Sequence, residues 1–343
     1  MRKFILKSSL FVFPFYIFYI ITNLLYTETE EPDLLRLGYI PYLYKNYRHN
    51  FPKISEEKFV KLSIASKKKY KIMTIGDSFS EQGANGYKNY LAKEYDVLHI
   101  DRFISQNQIQ TLINLLNGDF FNNYQIEYII LQNVERNLID NIDNIYYKNK
   151  LDKNKLDSII QKNNETKIDY NYKFFSITTI EFPLYYLPKY FIASNYLSND
   201  LVYNFDLNSS KYFSNNSNKL LFYYFDIDRT PKNNKINNCI KLNNILNHIS
   251  NKLSERNIKL IFLPSPDKYD LYYNAIKNKN NLPKPIFFDI FRKLNKNYIY
   301  IDSKKILSQY IKSKPDLYYY DDTHWTPFAA EIISNSIKDV IDK

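Results

Sequence analysis

Two short motifs in this 343-residue chain carry side chains suited to nucleophilic chemistry. Gly76-Asp77-Ser78-Phe79-Ser80 directly follows an apolar run, Tyr70 to Ile75, that reads as a β-strand. In an open parallel sheet, reactive groups gather at the carboxyl ends of the strands, because the turns there present backbone N–H groups and side chains together. Ser78 stands in such a turn and could act as a nucleophile. Gly76 permits a tight bend, and the N–H groups that follow could face a developing oxyanion. Alone, the triplet is equally an ordinary turn into a helix capped by Ser78 or Ser80. The second motif, Asp321-Asp322-Thr323-His324-Trp325, lies near the carboxyl end. Residues two apart in an extended segment project to one side, so Asp322 can meet His324. A carboxylate on one imidazole nitrogen fixes the tautomer and leaves the other nitrogen to take a proton from Ser78. Either motif alone reads as structural, but together they read as a Ser78, His324, Asp322 triad.

The elements that must position these residues follow from hydrophobic periodicity. Strands are expected at Tyr70 to Ile75, Tyr95 to Ile100, Glu127 to Leu131, Lys259 to Leu263 and Tyr298 to Ile301. Helices are expected at Ala84 to Glu94, Gln106 to Leu116, Ile236 to Leu253 and Ile286 to Leu294. Thr326 as N-cap and Pro327 as first residue announce a last helix, with Ile332, Ile333, Ile337 and Val340 as its buried stripe. Alternating strands and helices imply a parallel sheet with helices on both faces. From about 137 to 234 this rhythm breaks into an Asn-, Tyr- and Lys-rich stretch with aromatic clusters such as Phe182 to Tyr186, read as an inserted lobe.

Ser8 to Tyr26 carries no charge and is close to the ~20 residues a bilayer-crossing helix needs. Arg2, Lys3 and Lys7 precede it, and Glu28, Glu30 and Glu31 follow. The positive-inside rule therefore predicts a cytoplasmic amino terminus and an exported domain. No small-x-small site follows the apolar run, so an uncleaved anchor is expected. The organisation reads as flank and anchor over 1–27, stalk over 28–67 and catalytic domain over 68–343.

Composition narrows the function classes. At 45% hydrophobic and 17% aromatic, the chain is no disordered polymer. A single cysteine, Cys239, excludes an intramolecular disulfide, and the four histidines lack metal-site spacing, so no metal or other cofactor is expected. The formal charge of +11 is spread among Asn, Ile and Tyr rather than gathered on one arm, which argues against nucleic acid as a partner.

The order Ser, then Asp-x-His, without G-x-S-x-G, separates the chain from α/β-hydrolases. GDSFS after the first strand and DTHWTP before the last helix resemble the SGNH hydrolase superfamily, specifically its branch similar to exported alginate O-acetyltransferases with an Asp-x-His-Trp motif. That resemblance implies a flavodoxin-like parallel sheet, Ser78 as nucleophile, His324 as general base and Asp322 as its orienting acid. It extends to Asn133-Val134-Glu135-Arg136 and to Pro264-Ser265-Pro266-Asp267-Lys268. Asn133, Arg136, Lys268 and Trp325 are therefore candidate substrate or oxyanion groups. Glu135 and Arg136 read equally as a structural ion pair, and Lys268 as a solvated loop residue. The usual glycine after the second strand and the Gly-x-Asn-Asp block after the third are absent, with Asp101-Arg102-Phe103 and Gln132-Asn133-Val134-Glu135 in their places. The expected activity is acetyl transfer to a polysaccharide, with a membrane-bound O-acyltransferase as donor partner. The alternatives are a carbohydrate O-acetyl esterase and a non-catalytic glycan-binding assembly protein.

Overall fold

The computed structural model describes residues 1–25, 33–34, 51, 54, 56–66, 68–104, 107–166 and 202–343. The strands among them are β1 (Val60–Lys61), β2 (Lys69–Ile75), β3 (Val97–Ile100), β4 (Gln125–Val134), β5 (Val202–Asp206), β6 (Lys219–Tyr223), β7 (Lys259–Ser265) and β8 (Ile299–Tyr300). Six form one sheet in the order β1-β3-β2-β4-β7-β8, every pairing parallel, while β5 and β6 form an antiparallel hairpin. Apart from the short β1, this is the doubly wound order in which the chain steps from β2 to β3 on one side and returns to β4 on the other. The reversal opens a crevice at the carboxyl ends of β2 and β4, where Ser78 and the 133–136 stretch emerge.

Both sheet faces are covered, which is why the strands read as apolar runs rather than strict alternations. Tyr70, Met73, Ile75, Ile129 and Leu131 enter one core, and Ile72, Tyr128, Ile130 and Val134 enter the other. Helices Gln108–Asn117, Glu135–Asp143, Ile236–Ser254 and Phe287–Arg292 cover the first core; Tyr87–Leu91 and Pro327–Ile341 cover the second.

The structure departs from the periodicity at particular places. The expected helix Ala84 to Glu94 is a 3₁₀ turn, Gly83–Asn85, then a short helix, Tyr87–Leu91, because Gly86 between them is extended. The next helix starts at Gln108, where the Asn107 side chain caps the N–H of Gln110. β4 and β7 run beyond their apolar centres, pairing Gln132 with Leu263 and Asn133 with Pro264. Pro327 opens the last helix as expected, but the Thr326 hydroxyl does not cap it. That hydroxyl donates to the Asp316 carbonyl at 2.6 Å, tying the helix start to the loop before it. Of the stripe on this helix, Ile333 and Ile337 are buried, with Ile332 and Val340 half-buried.

Within the expected insertion, Leu138, Ile139, Ile142 and Leu156 join the first core, and Leu220 and Phe222 join the second. The cluster at 182–186 and most of the 28–67 lead-in lie outside the described residues. The amino-terminal helix, Arg2–Leu25, contains Pro14 and is exposed over residues 1–18, Phe11 by 72%. It is long and apolar enough to cross a membrane.

Gly76 serves a close approach rather than an unusual backbone angle. A Cβ there would fall 1.9 Å from Ser80 Oγ and 2.6 Å from both Ser80 Cβ and Gln132 Oε1. Gly76→Ala is therefore expected to destabilise the fold by about 1–3 kcal/mol in denaturant titration, through overpacking beneath the Ser78 turn.

Candidate active site

The turn after β2 is held from below by polar groups. Asp77 accepts the N–H of Phe79 at 3.0 Å and, through its other oxygen, the N–H of Val134 at 2.5 Å. Gln132 Oε1 accepts the Asp77 N–H at 3.1 Å and the Ser80 hydroxyl at 2.8 Å, while its amide donates to Ser265 at 3.0 Å. Ser80 is thus a strut of the turn, and Ser78 is the half-buried hydroxyl left facing the crevice.

The second motif forms the tip of a hairpin-like loop. Tyr318 and Trp325 make a β-bridge, the Tyr319 N–H donates to the His324 carbonyl at 3.1 Å, and the Thr326 N–H donates to Leu317 at 3.0 Å. Asp322 and His324 meet by a tighter route than an extended segment. Asp322 Oδ1 accepts the backbone N–H of His324 at 3.0 Å, an Asx turn, and lies 2.5 Å from Nδ1 of the same residue. The carboxylate partner assigns the proton to Nδ1 and leaves Nε2 as the unprotonated nitrogen. Among the described residues Nε2 has no hydrogen-bond partner, Ser78 included. Catalytic hydrogen bonds often tighten only with substrate present. Burial pulls the His324 pKa down, but the charge and hydrogen bond of Asp322, with help from Asp33, hold it above its ordinary value.

Phe79 joins the two motifs. Its ring centroid lies 4.9 Å from that of His324 and 5.1 Å from that of Trp325. Ser78, Asp322, His324, Arg136 and Asp33 line one cavity of about 520 Å³, with Glu81, Gln82, Asn85 and Arg102 also on its wall. A more open groove of about 760 Å³ along Ile236–Ser254 shares none of these residues.

Four of the seven sequence-derived site residues thus share the cavity. The other three lie behind it. Lys268 is fully buried and donates to the carbonyls of Tyr319 at 2.6 Å, Tyr320 at 2.7 Å and Asp322 at 3.3 Å. It is neither solvated nor placed for a ligand, because its ammonium closes the inside of the histidine loop. Burial pushes its pKa down to about 7, against the pull of Asp322 and Asp33. Asn133 is buried and donates to Gln108 at 2.7 Å. Trp325 is buried against Phe79 and Tyr87 rather than lining the cavity. Arg136 does not pair with Glu135. It binds Asp267 at 2.8 Å and Asp226 at 3.1 Å. Burial lifts Asp226 to about 6 although Arg136 draws it down.

Sequence reasoning missed Asp33, Glu81 and Asp226. Asp226 stands in the stretch where the βα rhythm fails, and Asp33 in a segment without periodicity. Glu81 follows the Ser78 motif closely enough that its position on the turn could have flagged it. Its Oε1 accepts the Arg102 N–H at 2.9 Å and contacts His99 Nε2 at 3.1 Å. Arg102 occupies the block where the superfamily usually has its glycine donor, so this N–H is already taken. Burial would raise the Glu81 pKa, but His99 holds it at about 2. Two clusters here have metal-ligand residue types, and neither presents an open set. Both ring nitrogens of His99 are engaged by Thr74 and Glu81. In the other, Asp33 is bound to Thr323 and His324 Nδ1 to Asp322.

Residues 221–343 match a family described as SGNH hydrolase-like domain, acetyltransferase AlgX. Over that segment the chain is similar to an SGNH hydrolase-like domain. The matched segment includes Asp226, Lys268, Asp322 and His324; Ser78 and Arg136 precede it and join the site through the fold. Neither the curated proteins nor the solved structures include a match. The likeness over these residues supports a relation to polysaccharide acetyltransferases and esterases.

Lys268→Met is expected to leave three loop carbonyls without their donor. Its measured stability should fall by about 3 kcal/mol.

Proposed function

We propose that this protein is a membrane-anchored, exported O-acetyltransferase that acts on a cell-surface or secreted polysaccharide through acyl-Ser78. The observation that carries this reading is one cavity holding Ser78 together with a His324 whose Nδ1 is bound to Asp322 and whose Nε2 is bare. Ser78 Oγ attacks the acetyl carbonyl as His324 Nε2 takes its proton. The tetrahedral intermediate collapses, the imidazolium gives the proton to the departing donor oxygen, and acetyl-Ser78 remains. A glycan hydroxyl then attacks that ester, giving its proton to Nε2, and Ser78 leaves with the proton returned to it. Water in place of the sugar hydroxyl would make the same site an esterase. Likeness to the acetyltransferase family over 221–343 and the apolar helix Arg2–Leu25 favour transfer at a membrane. Acetyl-CoA is cytoplasmic, so an exported site needs acetyl groups delivered across the bilayer, and a membrane-bound O-acyltransferase is the partner this reading names.

The deciding experiment offers an activated acetyl ester and host glycan to residues 27–343 and compares ester hydrolysis with glycan acetylation. Ser78→Ala and His324→Ala should each abolish turnover in a folded protein; full activity of Ser78→Ala on any ester would refute the triad. The rate of the intact enzyme should fall on the acid side with a midpoint above about 6.5, because the base works only when neutral and Asp322 raises its pKa. Exchanging Arg2–Leu25 for a cleavable signal should lower glycan acetylation in cells and leave hydrolysis of a soluble ester unchanged. Normal acetylation by the released domain, in cells lacking every such acyltransferase, would remove the partner from the scheme.

A further inference from the structure

Residues 33 and 34, from the lead-in that follows the apolar helix, are seated on the loop that carries the base. Asp33 accepts the backbone N–H of Thr323 at 2.8 Å and the Thr323 hydroxyl as well. The Leu34 N–H donates to the Asp321 carbonyl at 3.1 Å, and the Leu34 side chain is wholly buried. These contacts clamp the loop on both sides of Asp322. Thr323 lies between the acid and the base of Asp322-Thr323-His324, so fixing its backbone and hydroxyl fixes both neighbours. A carboxylate oxygen of Asp33 also stands 3.9 Å from His324 Nδ1, too far for a hydrogen bond but close enough for charge to matter.

We propose that Asp33 is a positioning residue for catalysis: it locks Thr323 and holds a second carboxyl behind the His324 ring, so that Nε2 faces Ser78. This assignment rests on the Ser78, His324 reading of the site. The lock is built from Asp33 and Leu34, which follow the apolar helix Arg2–Leu25 in the sequence.

The charged groups facing His324 are Asp322, Asp33 and Arg136. Both acids favour the imidazolium, while Arg136 and burial oppose it. Asp33 is itself pushed above its ordinary pKa, first by burial and then by the charge of Asp322. Two carboxyls beside one imidazole are therefore stabilised most when the ring is protonated, which is its state once Ser78 has been activated.

The test uses the full-length protein in detergent with para-nitrophenyl acetate, measuring kcat and KM across the acid limb of the pH profile. Asp33→Asn keeps the size of the side chain and removes its charge. It is expected to move the limb to lower pH and to reduce kcat roughly ten- to a hundred-fold, with KM unchanged. Thr323→Val, which breaks the hydroxyl bond and leaves the Asp33 charge, should reduce kcat without moving the limb. A merely structural Asp33 would lower the melting temperature and leave the limb in place. A residue that only touches substrate would raise KM instead, and either pattern overturns the assignment. If Asp33→Asn does not fold, Thr323→Val decides: a reduced kcat supports the lock and a wild-type kcat removes it. Ser78→Ala run alongside separates the two claims. A dead Ser78→Ala beside an unaltered Asp33→Asn overturns the lock alone, whereas an active Ser78→Ala overturns the triad beneath it.

Discussion

A histidine works as a base only while one ring nitrogen is held and the other is left bare. Here the contact between His324 Nδ1 and Asp322 sets both conditions, and the packing around it keeps that contact from relaxing. Asp322 accepts from the backbone as well as the ring of His324, so the two cannot separate without opening the loop. Lys268 gathers three carbonyls inside that loop, and the Tyr318 hydroxyl donates to Pro266 at 2.6 Å. The exit of β7 thereby props His324 from behind. Phe79, next to the nucleophile, packs on both His324 and Trp325, so the exit of β2 is registered against the same loop. Motifs more than two hundred residues apart meet because the sheet order sets β2 and β7 on either side of β4, with all three ending at the same edge.

The charges under the cavity are better understood as positioning than as stabilisation. Arg136 is held by Asp226 and Asp267, while Asp270 pairs with Lys304 beside Glu135. Burial raises the pKa of all four acids, a sign that desolvation is incompletely offset. Buried pairs of this kind are weak sources of stability, and removing one partner strands the other. What they secure is a guanidinium fixed at the cavity wall, supplied by the residues that follow β4 and pinned by a helix that follows β6.

The Asp322–His324 contact and the frame around it were legible in the sequence because both obey local rules. Ser78 follows an apolar strand, and Asp322 lies two residues from His324, so spacing alone brings acid to base. The parallel sheet was legible because burying both strand faces leaves apolar runs that end at polar turns. Asn133 and Trp325 read as ligand-facing, and Lys268 as ligand-facing or solvated, because sequence neighbourhood to a motif does not say which way a side chain points. Lys268 was open to misreading above all. A buried ammonium is rare, and its partners are backbone carbonyls some fifty residues away that leave no mark in residue identity. Asp33 and Asp226 were invisible for a related reason, since both act through long-range contacts from segments without periodicity.

The clamp at Asp33 also limits where the base can stand. Asp33 follows Leu25, the last residue of the apolar helix, by eight residues. A fully extended chain of that length reaches at most about 28 Å, whatever path it takes. With the helix in a bilayer, as the proposed function has it, His324 is then no further from the membrane surface than about the diameter of a small domain. Had the lead-in only tethered the domain, its length would have been free to vary and the site could have faced anywhere. With Asp33 seated on Thr323, the contact that fixes the histidine loop also bounds how far that loop can stand from the end of the apolar helix.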